Sequence, residues 1–299
     1  MYLIDFIYDG LKLSDLGCMV GNIVTDNGNT VEMGSVVELE TNINHGSYTS
    51  EIINATYPDV YTVTFDIFKM NCGKGYKDVF DDKEVTWFMR WLNRKEYKKF
   101  IPIYDNPKDF YRLFYMGTFT ECKALFIQGH VYGFTLTFTT NSPFAYLDYS
   151  PNNYEIVETN EAFDIIDSST KSHQYLSGGS FILYDESEEL GAVYPKSFKI
   201  WLPYEGGDLI IKNSMDDETR YTEIKNCQMY ETITFDCIHK IVTAKRNNGS
   251  DHPGLYNDFN YVFPRIMNTF DECMNKYYTT LSCHVTIDYN PIRKVGIIV

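Results

Sequence analysis

Between residues 61 and 68 apolar and polar side chains alternate. Tyr61, Val63, Phe65 and Ile67 fall on one face, and Thr62, Thr64, Asp66 and Phe68 on the other. A period of two is that of a half-buried strand. The same reading gives strands over residues 2–8, 36–43, 100–104 and 110–120, with a short strand or loop over 11–18. Residues 124–127 and 132–140 flank a Gln128-Gly129 turn, and Phe134, Leu136 and Phe138 share a face. Asp26-Asn27-Gly28-Asn29 predicts a second hairpin turn, between strands at 23–25 and 30–33.

One stretch breaks the period. Within residues 84–100, Val85, Phe88, Met89 and Leu92 recur at the i, i+3, i+4, i+7 spacing of one helix face. Asp81 and Asp82 are capping candidates that give the helix a negative start. Arg90, Arg94, Lys95, Lys98 and Lys99 load its later turns with positive charge, which suits the helix dipole. Pro102 bars continuation. A lone helix among strands must cover a sheet or prop a barrel. Residues 1–146 are therefore predicted as an α+β domain with antiparallel pairing.

Residues 147–172 are rich in acid and poor in order signals, and read as a connection carrying one or two short strands. In the remaining stretch, 173–299, candidate strands come at short spacing: 180–184, 197–202, 208–212, 218–224, 231–236, 238–244, 261–263, 276–280 and 282–289. Gly206-Gly207 and Asn247-Asn248-Gly249 mark turns between some of them. Many short strands with regular turns predict a β-sandwich of jelly-roll or galectin type. The fold class is thus mainly β, and 25 tyrosines and 20 phenylalanines lean the same way.

Charge and cysteine usage narrow the function classes. A net charge of −15 argues against a surface that grips nucleic acid, because phosphate binding draws on clustered Lys and Arg, which here concentrate on the predicted helix. Seven scattered cysteines form no CxxC pair and read as reduced thiols buried as small hydrophobes. No apolar run reaches the about 18 residues of a membrane-spanning helix, and the opening MYLIDFIYDG lacks the basic region of a signal peptide. No membrane insertion is expected.

Catalytic patterns are not found. Six dispersed histidines give no zinc spacing, and Cys237-Ile238-His239 has no third partner at a usual distance along the chain. Gly73-Lys74-Gly75 lacks phosphate-loop spacing and reads as a turn. Asp216/Asp217 and Glu188/Glu189 are adjacent acids, which on a strand point to opposite faces and so make poor glycosidase pairs. Trp201-Leu202-Pro203-Tyr204 presents aromatic rings that can stack on a sugar face, or that can pack between two sheets. Neither a cofactor nor a metal is expected, and the pattern points to a structural or binding protein.

Several segments, in order, resemble the distal tail (Dit) proteins of long-tailed bacteriophages. Phe6-Ile7-Tyr8-Asp9-Gly10 with Ser14-Asp15-Leu16-Gly17-Cys18 looks like the family's opening, and TFDIFKMNC at 64–72 like its aromatic strand. Arg90-Trp91-Leu92-Asn93 with Tyr97-Lys98-Lys99-Phe100 resembles its helix. Tyr132-Gly133-Phe134, Phe138 and Ser142-Pro143-Phe144 resemble the close of its first domain. The second half resembles the family less specifically, through Tyr289-Asn290-Pro291-Ile292-Arg293.

The resemblance implies a hexameric ring of first domains at the distal end of the phage tail, around the channel through which DNA leaves. The tail tube protein would lie on one side and the hub or tip protein on the other, with tape-measure and receptor-binding proteins as further partners. The protein would be made in the host bacterial cytoplasm and reside in the virion, without catalysis. Arg90, Arg94, Lys95, Lys98 and Lys99 are the candidate assembly contacts. Two other readings stand beside it: a carbohydrate-binding module that uses Trp201 and Tyr204 as glycan contacts, and a wall-degrading enzyme. The sequence leaves open where residues 294–299 pair.

Overall fold

The computed structural model describes residues 3–21, 37–44, 49–57, 60–70, 79–105, 112–148, 152–156, 161–166 and 170–295. The hairpin turn expected at residues 26–29, its flanking strands and the turn at 73–75 lie outside them. The chain divides into two compact units, one of residues 1–148 with 292–299, the other of residues 149–291.

The first unit opens with β1 (Leu3–Tyr8), β2 (Leu11–Lys12), a short 3-10 turn (Ser14–Leu16) and β3 (Cys18–Gly21). There follow β4 (Glu38–Asn44), β5 (Thr49–Thr56) and β6 (Thr62–Lys69), then the helix α1 (Asp82–Leu92). β7 (Lys98–Tyr104), β8 (Leu113–Ile127), β9 (His130–Thr140) and β10 (Ala145–Leu147) complete it. Its main sheet runs β2-β1-β7-β8-β9-β6-β3, antiparallel throughout.

In a flat sheet β1 and β6, four strand spacings apart, would be separated by roughly 19 Å. Yet the rings of Phe6 on β1 and Phe65 on β6 are 5.6 Å apart. The sheet must therefore curl around its own side chains. Phe6 also meets Phe100 at 5.1 Å and Phe119 at 5.9 Å, and Phe100 stacks on Phe138 at 4.5 Å. The alternation read in residues 61–68 places Val63, Phe65 and Ile67 inside this core, as expected. The β8–β9 hairpin turns at Gln128 and Gly129, both with positive φ, as a two-residue hairpin of matching twist requires.

The helix starts at Asp82, two residues before the predicted 84, with the candidate Asp81 as its cap, and it ends sooner. Asp81 accepts the Glu84 N–H at 2.8 Å while the Glu84 carboxylate accepts the Asp81 N–H at 2.9 Å, a reciprocal capping box. The predicted helix over 84–100 is corrected to Asp82–Leu92, and residues from Lys98 onward are strand. The cause is tertiary. Phe100 pairs with Tyr8 and with Tyr115 in the ladder and is fully buried, a placement that needs extended backbone. Pro102 lies within β7 beyond its pairing with β8, so its missing N–H costs that ladder nothing. Phe88, Trp91 and Leu92 form the buried stripe; Val85 and Met89 are half-buried at its margin.

β4 and β5 form a separate two-stranded ribbon. The sequence reading places a strand over 36–43 and misses β5, because Thr49–Thr56 has no apolar stripe to signal one. Leu39, Ile52 and Ile53 on the ribbon and Val60 beyond it are exposed.

The second unit is a sandwich. It comprises β11 (Asn152–Ile156), β12 (Glu161–Ile166), β13 (His173–Tyr184), β14 (Gly191–Val193), β15 (Ser197–Trp201) and β16 (Gly207–Asn213). β17 (Thr222–Cys227), β18 (Thr232–Asp236), β19 (Ile241–Lys245), the one-turn helix α2 (Leu255–Asp258), β20 (Ile266–Asn268), β21 (Met274–Thr279) and β22 (Cys283–Asp288) follow. One five-stranded sheet runs β11-β22-β15-β18-β19 and the other β12-β13-β21-β16-β17. Phe198, Ile200, Phe235, Val285 and Ile287 of the first meet Phe181, Leu183, Leu209, Ile211 and Tyr277 of the second in one buried cluster. Residues 147–172, read as an acidic connection, thus supply β11 to one sheet and β12 to the other. The strand expected at 261–263 is irregular chain whose Phe263 packs into the core. β23 (Ile292–Arg293) pairs with β10 of the first unit, and the Tyr115 hydroxyl donates to the Val295 carbonyl at 3.0 Å.

Two buried details bear on stability. Glu231 and His252 are buried: Glu231 Oε1 lies 2.7 Å from His252 Nδ1, and Asp258 Oδ2 lies 3.0 Å from His252 Nε2. Cys18, Cys227, Cys237 and Cys283 are free thiols in apolar surroundings, and burial pushes each up to about 12, as expected of small hydrophobes. Cys273 departs from that expectation and is exposed.

Candidate functional site

The outer face of the β11-β22-β15-β18-β19 sheet carries an organised row of side chains. In register across neighbouring strands stand Glu155, His284, Trp201 and Thr232. One step along the same face stand Asn153, Thr286, Lys199 and Thr234. The strand period of two sets both rows outward, since the intervening Val285, Ile287, Ile200 and Phe198 point into the core.

Aromatic rings gather at one end. Trp201 lies 5.1 Å from the His284 ring at 31°, and Tyr204, just beyond β15, lies 6.1 Å from it at 28°. Trp201 is 41% and Tyr204 49% exposed, so neither is the buried packing residue that the alternative reading allowed. The Tyr204 hydroxyl donates to Glu155 Oε1 at 3.0 Å, which raises the phenol above its ordinary value. His284 Nε2 lies 3.8 Å from the same oxygen, and the Thr286 hydroxyl donates to Asn153 Oδ1 at 2.8 Å. An open concavity of about 630 Å³ lies on this face, lined by Asn153, Glu155, Lys199, Trp201, Thr232, His284 and Thr286 of the two rows.

The sequence reading named Trp201 and Tyr204 and missed Glu155, His284, Asn153, Lys199 and Thr286. These five come from β11, β15 and β22, and only the strand register brings them together. His284 and Thr286, alternating with buried Val285 and Ile287, were the one local signal.

The five nominated cations do not share a helix face. Arg90 lies on α1, Arg94 and Lys95 follow its end, and Lys98 and Lys99 are on β7. Arg94 pairs with Asp9 at 3.0 Å, and its carbonyl accepts the Thr118 hydroxyl at 2.9 Å. Lys98 contacts Glu96 at 2.9 Å and Asp9 at 4.0 Å; the Glu96 hydrogen bond raises its ammonium above the usual value. Lys99 binds Asp148 at 2.6 Å and lies over the Phe114 ring at 4.4 Å. Arg90 and Lys95 are exposed. His239, beside buried Cys237, is exposed and bound to Asp236 at 2.7 Å, so the two make no nucleophilic site.

Two antiparallel β units, one curled around a helix-sealed aromatic core and one a sandwich with a polar and aromatic groove, define a β-rich structural protein. The chain belongs to a family of phage tail proteins: residues 1–142 match the phage tail protein N-terminal domain and residues 162–289 the phage tail C-terminal domain. Its fold is that of a distal tail protein. The crystal structure of the Dit protein of phage SPP1 superposes with a TM-score of 0.60 at 11% identity, over 97% of this chain and 99% of that one. A chain of the phage P2 baseplate in its calcium-activated conformation matches with a TM-score of 0.47 at 9% identity, over 99% of this chain and 100% of that one. None of the curated proteins matches this sequence.

Proposed function

We propose that this phage tail protein is a ring-forming adaptor at the distal end of the tail, closing as a hexamer that joins the tail tube protein to the hub or tip protein and surrounds the DNA exit channel. The observation that carries the reading is the end-to-end likeness, over 97% of this chain, to the SPP1 Dit protein, described as a paradigm of hub adsorption apparatus. Tape-measure and receptor-binding proteins are further neighbours under this reading.

A closed ring needs a head-to-tail contact between copies. The β4–β5 ribbon suits one. A two-stranded ribbon is marginally stable alone, and exposed Leu39, Ile52 and Ile53 gain burial only against another surface. Arg90 and Lys95 add exposed positive charge at and just past the end of α1. Arg94, Lys98 and Lys99 are already paired within the unit, so they are weaker contacts than Arg90 and Lys95.

Replacing Ile52 and Ile53 together by Asp is expected to leave the thermal midpoint of the purified protein unchanged and to shift its mass distribution, read by mass photometry, from rings to single chains. Rings persisting at wild-type abundance would remove the ribbon from the interface. The double reversal of Arg90 and Lys95 to Glu tests the charged contact in the same way, with weakened assembly expected at low salt and the fold intact.

A further inference from the structure

We infer that the groove around Trp201 on the outer sheet of the second unit binds a short oligosaccharide of pyranose units. The argument starts from what a sugar offers. One face of a pyranose ring is a patch of C–H groups and its rim is a ring of hydroxyls. A site for it needs an exposed aromatic plane beside fixed groups that both donate and accept hydrogen bonds.

This face supplies both, in register. His284, inclined by 31° to the Trp201 ring and by 28° to the Tyr204 ring, joins them in an aromatic floor. One step along the strands, Asn153, Thr286 and Lys199 supply amide, hydroxyl and ammonium groups. Glu155 closes the aromatic end with a carboxylate. Its Oε1 is held by the Tyr204 hydroxyl and its position is fixed on β11, so the acceptor is set before any ligand arrives. Both rows sit on paired strands of one sheet, a rigid base for a site.

The same features argue against a protein partner. A protein interface has a core depleted of charged residues and rich in apolar ones. Here the charged Glu155 and Lys199 line the concavity beside His284, and Asn153, Thr232 and Thr286 add amide and hydroxyl groups. The volume of about 630 Å³ lies within the range of small-ligand sites, roughly 300–1,000 Å³, and suits a few sugar units.

The ring reading bears only on where the sugar comes from. At the tip of a phage tail the available saccharides are those of the bacterial surface. Binding itself requires no ring.

The test titrates the full-length protein with maltotriose, N,N′,N″-triacetylchitotriose and a rhamnose trisaccharide. Binding is followed by calorimetry and by saturation-transfer NMR, with mass photometry recorded on the same samples. At least one probe is expected to bind the wild type. Trp201→Ala should weaken that probe by about tenfold or more, and Glu155→Gln should weaken it while leaving the thermal midpoint unchanged. Trp201 and Glu155 are both exposed, so neither variant is expected to disturb folding. The inference is overturned if no probe binds at several millimolar, or if binding survives Trp201→Ala. Intact rings in either case would leave the adaptor reading standing.

Discussion

Replacing His252 with Leu is expected to destabilise the second unit by about 3–5 kcal/mol. The side chain is fully buried between two carboxylates, with Nδ1 2.7 Å from Glu231 and Nε2 3.0 Å from Asp258. Glu231 is itself at 0% exposure, and its other oxygen accepts the Gln228 N–H at 2.7 Å. Removing the imidazole leaves a buried carboxylate with one partner instead of two. The cost then comes mainly from the stranded charge rather than from the pair's own net worth. Replacing both Glu231 and His252 by Leu should therefore cost less than His252→Leu alone. Urea denaturation of the three proteins measures this. A loss below about 1 kcal/mol for the single variant would mean that Glu231 is solvated, like a surface pair. The Asp258 carboxyl is held below its ordinary value, first by its hydrogen bond to His252. Its contribution is thus present above about pH 3.9 and is lost as pH falls through the lowered value.

Trp91→Ala is expected to cost the first unit about 3–5 kcal/mol. Trp91 is 2% exposed, stacks on Phe6 at 6.0 Å and donates its indole N–H to the Tyr8 carbonyl at 3.1 Å. It ties α1 to the first strand of the curled sheet, and its removal opens a cavity and takes one hydrogen bond from the Tyr8 carbonyl. Trp87, on the same helix but 42% exposed, is the control. Among the described residues its ring pairs are with Phe88 and Trp91, and Trp87→Ala should cost about 1 kcal/mol. Equal losses in thermal or urea melts would place the helix on the sheet differently.

These two residues also show where the sequence was legible. The helix start could be read because Asp81 is a side chain of the right type just before an apolar stripe. Its end could not, because the charged residues 93–99 are compatible with helix, and what extends Lys98–Phe100 is pairing with β1 and β8, strands far away in sequence. Trp91 was overlooked for a related reason. It widens the stripe of Phe88 and Leu92 on the side that faces Phe6, and the need for that width comes from the curl of the sheet. Strands with one wet and one dry face, β6 and β9, were read directly. β5 was not, since both its faces are exposed and no alternation marks it.

The candidate site divides in the same way. Trp201 and Tyr204 are near each other in sequence and stood out as a pair. Glu155 and His284 join them only through the register of β11 on β22 and β22 on β15. The cations around α1 were visible as charge, but Asp9 and Asp148, which neutralise three of them, could not be assigned without the fold.

The ring is the central claim, and electron microscopy of the purified full-length protein, alone and mixed with its cognate tail tube protein, tests it most directly. Two-dimensional class averages should show six-fold rings with an open centre, and in the mixture these rings should cap the ends of tubes. Single chains at every concentration, with bare tube ends in the mixture, would contradict it.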